Sequence, residues 1–176
     1  MTAATSTIRE ITFLRDQLIG AWQLMEYCAY LPSNESDKRY PQGPDATGIL
    51  VYTPDGYMSA QLQTPGQQPF DVFKAADEDW AASGKNYLAY TGRFFLDEKG
   101  DDKGRPVLLH EMFVSSLPHL RGQIQRRVMD IAVDESDGGR YLVLSLDEPV
   151  NWYGDERLIR VRWRRLPDNQ ASSPPV

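Results

Sequence analysis

The sequence predicts an all-β fold: an antiparallel barrel of eight strands, with an N-terminal helix and one further short helix. Three observations carry this. Apolar and polar residues alternate in eight short segments, the period of a strand that buries one face. The connections between segments are rich in Gly, Pro and Asp, so neighbouring segments read as hairpins. Helical spacing occurs only near the N-terminus and around residue 80. Eight strands suffice to close a barrel around side chains or one small ligand. Closure also removes the exposed edges that the alternative, a two-sheet sandwich, would keep.

Taken in order, Thr7-Ile8-Arg9-Glu10 has the spacing of a capping box. Ile8, Ile11, Leu14 and Leu18 then recur at helical spacing up to Gly20, a helix able to plug one end of a barrel. Residues 1–17 thus form a helical extension, 18–167 the barrel, and the Ser- and Pro-rich 168–176 a disordered tail. In the first strand Trp22, Leu24, Glu26 and Cys28 share a face, with Gln23, Met25 and Tyr27 on the other. Residues 32–46 read as a polar loop. In 47–62, Pro54-Asp55-Gly56 is a type I turn followed by a left-handed glycine, which pairs Tyr52 with Met58 and Leu50 with Ala60.

Thr64 to Lys85 breaks the alternation and reads as a lid over the open end. It carries Phe70, Phe73 and Trp80, and a short helix begun by three acids, Asp77, Glu78 and Asp79. Tyr90, Gly92, Phe94 and Leu96 face inward on the next strand. In the last, Ile159, Val161 and Trp163 oppose an outer row of Arg160, Arg162 and Arg164. That alternation marks the arginines between 157 and 165 as a solvated face.

The central hairpin, 108–133, carries the most informative pattern. Leu108, His110, Met112 and Val114 share one face, and Gln125, Arg127, Met129, Ile131 and Val133 share the matching one. A hairpin symmetric about Pro118 and His119 sets Met112 opposite Gln125 and His110 opposite Arg127. Polar residues on an apolar face cost free energy unless their donors are met. Either they form a buried salt bridge, with Glu26 as the counter-ion to Arg127, or they line a cavity that takes a ligand. The inward polar set is Glu26, Tyr52, Tyr90, His110, Gln125 and Arg127, among apolar neighbours that include Met58 and Met112. Such a composition suits a small-molecule pocket.

A net charge of −6 argues against nucleic acid or an anionic membrane as the main partner. A single cysteine, Cys28, excludes an internal disulfide framework. No basic region followed by an apolar run opens the chain, and no apolar stretch has membrane-spanning length, so a cytoplasmic protein is the expectation. Two histidines make no metal site, and no phosphate loop is present, so no metal and no cofactor are expected. The expected partner is a small hydrophobic organic ligand or substrate; homodimerisation is left open.

Five segments carry a family resemblance: LIGAWQLMEY (18–27), GPDATGILVYTPDGYMSAQL (43–62), NYLAYTGRFFLDE (86–98), SSLPHLRGQIQRR (115–127) and RLIRVRWRRL (157–166). Together they resemble the lipocalin-like domain family of bacteria and fungi, which implies a calycin-type barrel with an internal cavity. Gly20-Ala21-Trp22 fits the G-x-W opening of such barrels, which implies a Trp at the closed end with an Arg of the last strand, here Arg165, stacked on it. The chain departs from the family's usual P-N-W-x-G, having Pro118-His119-Leu120-Arg121-Gly122 in its place.

Two functional classes follow. The favoured one, since a His–Arg pair is more than a passive apolar carrier needs, is a cofactor-independent isomerase, cyclase or dehydratase of secondary metabolism, with His110 as acid or base and Arg127 stabilising an oxyanion. The ligand would lie against Glu26, Tyr52, Met58, Tyr90, Met112 and Gln125. The other is a carrier that uses the same pocket without chemistry. A filled, purely structural barrel is a third possibility.

Overall fold

The computed structural model describes residues 3–170, with side chains from Glu10 onward except Ile11. Helix α1 (Ala3–Leu18) leads into ten strands. These are β1 (Gly20–Leu31), β2 (Asn34–Arg39), β3 (Thr47–Tyr52), β4 (Tyr57–Gln63), β5 (Tyr87–Asp97), β6 (Val107–Ser115), β7 (Ile124–Val133), β8 (Arg140–Ser145), β9 (Val150–Trp152) and β10 (Asp155–Arg165). Helix α2 (Asp77–Lys85) lies between β4 and β5. Eight strands run in the order β1-β3-β4-β5-β6-β7-β8-β10, and β10 pairs back onto β1, so the antiparallel barrel closes. The remaining two, β2 and β9, are short additions to the ends of β1 and β10.

Backbone pairing follows the sequence most closely in β3–β4. Tyr52 pairs with Met58 and Leu50 with Ala60, across a turn in which Gly56 has φ +97° and donates to the Thr53 carbonyl at 3.1 Å. Alternation holds within each unbroken strand, so Trp22, Leu50, Tyr52, Met58, Ala60, Phe94, Leu108, Leu142 and Trp163 form one buried cluster.

One end of the barrel is closed. Leu14 and Leu18 of α1 pack on the core cluster. Arg15 lies 4.6 Å from the Phe94 ring centre and donates to the Pro54 carbonyl. Trp22 donates its indole N–H to the Leu18 carbonyl at 2.8 Å. The Arg165 guanidinium sits 5.9 Å from the Trp22 ring, within cation–π range, and donates to the Ala21 and Leu166 carbonyls.

Several expectations are corrected. The helix begins at Ala3, so Thr7 lies inside it rather than at its start; the side chains of Thr7, Ile8 and Ile11 lie outside the described residues. The 32–46 stretch contains β2, which pairs with β1. In the central hairpin the register is shifted by two residues: His110 opposes Gln125, and Leu108 opposes Arg127. The shift arises because the connection folds into a 3-10 turn at Pro118–Leu120, and Gly122 N–H donates to the Met112 carbonyl. Since two is even, the faces survive.

A bulge between β5 and β6 turns Val114 outward, where it is exposed. At that bulge Gly92 lies so close to β6 that a Cβ would fall 1.6 Å from the Glu111 carbonyl oxygen. Arg157, read as part of the solvated face, is buried instead, donating to the Asp37 carbonyl, the Asp37 carboxylate and Asp155 at 2.9, 3.0 and 3.1 Å. It faces inward with Ile159 and ties β2 to the barrel.

Candidate functional site

At the other end of the barrel a cavity of about 240 Å³ opens between β5, β6, β7 and β10. That is room for one small organic molecule, just under the roughly 300–1,000 Å³ of drug-sized pockets. Leu62, Leu88, Leu144, Ile159 and Val161 supply its apolar wall. Tyr27, Tyr90 and Trp163 supply aromatic surface, Met112 a flexible thioether, and Gln125 and Arg127 the polar side. Leu117, His119 and Leu120, from the 3-10 turn, form the rim.

Arg127 reaches this wall because β7 presents it on the inner face with Gln125 and Met129. It is half-buried, donating to its neighbour's carbonyl, Arg126 O, at 2.7 Å and to Gln125 Oε1 at 3.1 Å. Among the described residues no carboxylate lies within 4.0 Å of it. Its field is felt by Tyr27, Tyr52, Tyr90 and His110.

His110 lies beneath the cavity rather than on its wall and is 1% exposed. Its Nε2 is hydrogen-bonded to the Tyr52 hydroxyl at 2.9 Å, and its ring is 6.1 Å from that of Tyr90. Burial, and then the Arg127 charge, push its pKa down to about 3, so the imidazole is neutral near pH 7. Tyr52 is fully enclosed against Phe94, with ring centres 4.9 Å apart. Burial raises the pKa of Tyr27, Tyr52 and Tyr90 in spite of Arg127, so all three hydroxyls stay protonated.

The predicted site residues therefore separate. Tyr90, Met112, Gln125 and Arg127 line the cavity together. Tyr52, Met58 and His110 are buried below it. Glu26 is on the outer surface, a correction to its inward placement. A bulge in β1 after Leu24 resets the alternation, so Glu26 opposes outward-facing Arg162 and its carboxylate meets Lys38 at 2.6 Å. Burial is the largest influence and raises its pKa, but the hydrogen bonds from Lys38 and Cys28 and the charges of Lys38 and Arg160 together hold the carboxyl below its ordinary value. Glu26 is therefore not the counter-ion of Arg127.

The same bulge turns Tyr27 inward. The spacing Trp22-x-Leu24-x-x-Tyr27-x-Ala29 carried that signal, since it restores an apolar inner face once a phase change is admitted. No residue of 64–85 lines the cavity; Phe73 is 94% exposed and Phe70 packs on Trp80 instead. The rim falls to the 3-10 turn, which interrupts the chain closest to the mouth.

Trp163 lines the cavity too, and its indole N–H has no acceptor among the described residues. Neither a metal-binding cluster nor a helix long and apolar enough to cross a membrane occurs among the described residues.

The sequence matches the family model described as a lipocalin-like domain over residues 19–166. It is also similar to a 4'-hydroxy-3'-methoxypropiophenone carrier protein of Aspergillus oryzae, 33% identical over 114 residues, which is 62% of this chain and 97% of that protein. With the closed barrel and its G-x-W end in place, the match across nearly the whole barrel is decisive: this chain belongs to the lipocalin-like domain family.

Proposed function

We propose that this protein binds one small, mostly apolar aromatic molecule in the barrel and holds it without transforming it. The observation that carries this is the cavity itself, which is apolar and aromatic apart from a few polar groups gathered on one side, at Gln125 and Arg127. The carrier named among its relatives takes an aryl ketone bearing a phenol. A molecule of that class suits this wall: the ring would lie among Tyr27, Tyr90 and Trp163, and the oxygens would meet Gln125 and Arg127. A cytoplasmic setting with secondary metabolites as cargo belongs to the same reading.

The competing reading, proton-transfer catalysis by His110 with Arg127, rests on the Arg127 charge on the wall being felt at His110 beneath it. It is the weaker one. A base with a pKa of about 3 accepts a proton poorly near neutral pH, and His110 is screened from the cavity.

Titration calorimetry with 4'-hydroxy-3'-methoxypropiophenone tests both. Saturable one-to-one binding, lost when the cavity is filled by Leu144→Trp, with the ligand recovered unchanged, is the expected result. A product formed by the wild type and not by His110→Gln would replace the carrier reading with the enzymatic one.

A further inference from the structure

The charge balance inside the barrel says more about the ligand than its shape does. We propose that the cavity takes its ligand as a monoanion: an acidic phenol or similar aromatic acid, bound as its conjugate base with the ionised oxygen on Arg127. This rests on the binding function above and names the chemical class that the same site selects.

Arg127 has five N–H groups. Two are used, on Arg126 O and Gln125 Oε1, and the other three have no acceptor among the described residues. No carboxylate is within 4.0 Å, because the bulge in β1 sends Glu26 outward to Lys38.

The groups facing Arg127 from the surrounding strands bring no compensating charge. Tyr27 on β1 and Tyr90 on β5 are kept protonated by burial. Gln125 on β7 and Trp163 on β10 do not ionise. Beneath them Tyr52 on β3 and His110 on β6 are neutral, and His119 is exposed at the rim. The lining therefore holds one uncompensated positive charge. Such a charge is costly in a low-dielectric site until an anion meets it. The unmet N–H groups of the wall, three on the guanidinium and one on Trp163, are donors that seek an acceptor oxygen, and the Tyr27 and Tyr90 hydroxyls, which can also accept, are able to donate to the same oxygen.

Two effects oppose each other on a bound phenol, and their signs differ. An apolar cavity alone favours the neutral form and raises the pKa. A direct charge-assisted hydrogen bond to a guanidinium favours the anion. Burial wins for Tyr90, which makes no hydrogen bond to Arg127. A mobile ligand is free to place its oxygen on the guanidinium, and there the second effect prevails.

The test uses 4-nitrophenol, whose anion is yellow, and 4-nitroanisole, its methyl ether, which cannot ionise. Both are titrated into the wild type, Arg127→Met and Arg127→Lys, with affinity read by calorimetry and the ionisation of bound nitrophenol by absorbance across pH. In the wild type the bound phenol should ionise about one pH unit or more below the free one, a preference for the anion of about tenfold. Arg127→Met should abolish that shift and weaken the nitrophenolate at least about tenfold more than it weakens the ether, while Arg127→Lys keeps part of the shift. An unchanged or raised midpoint in the wild type, with the ether bound as tightly, would overturn the anionic ligand and leave the binding function standing. If neither probe enters the cavity, both readings fall together.

Discussion

The buried imidazole makes stability depend on pH in a window where little else titrates. In the unfolded chain His110 takes a proton near its ordinary pKa of 6.5, but in the fold only near 3, because burial and Arg127 oppose the charge. Between those values the unfolded state binds more protons, so stability rises with pH and falls as the solution is acidified. The slope approaches about 1.4 kcal/mol per pH unit once the pH is well below 6.5. From about pH 7.5 to about pH 5 the loss amounts to about 2 kcal/mol.

The depressed carboxylates, among them Glu26, Asp97, Glu111 and Asp137, act lower down. Their stabilisation is present above the unfolded values of 4.5 and 3.8 and is lost as pH falls through the lower folded ones. His110→Gln isolates the imidazole, since a glutamine of similar volume can still meet the Tyr52 hydroxyl and cannot titrate. Urea unfolding at several pH values should show the acid-side slope in the wild type and a nearly flat line in the variant over the same range. Parallel lines would mean that His110 can be protonated inside the fold, and the account of its burial would be wrong.

Three further outcomes follow from the packing. Gly92→Ala places a methyl 1.6 Å from the Glu111 carbonyl oxygen and should cost about 3 kcal/mol or more, read as a lower urea midpoint. Gly84→Ala, near the end of α2 with nothing within 4 Å, should instead stabilise by about 0.5–1 kcal/mol; a loss there would show α2 to be less regular than described. Arg157→Met removes the buried tie between β2 and the barrel but strands only half-exposed carboxylates, so it should cost about 2 kcal/mol and open Asn34–Arg39 to limited proteolysis. Unaltered protection of that strand would refute the role given to Arg157.

Local pattern determined a good deal by itself. The turn at Pro54-Asp55-Gly56 set the β3–β4 register, because that turn chemistry admits one hairpin geometry. Simple alternation put Trp163 and Val161 inside and Arg162 and Arg164 outside along most of β10. On β7 it put Gln125 and Arg127 on the cavity side, so the polar half of the candidate site was legible.

What alternation could not supply is its own phase across an irregularity. A bulge resets the parity of every residue after it, and its position depends on how two strands must shift to close the barrel. The bulge in β1 exchanged Glu26 for Tyr27 and so removed the counter-ion expected for Arg127. The one in β5–β6 turned Val114 out. Burial of Arg157 required β2 to fold across it, and the depth of His110 below the cavity depended on which side chains filled the lumen. Such distances arise only when strands far apart in the chain meet, so the uncompensated charge of Arg127 on the cavity wall is a property of the closed barrel.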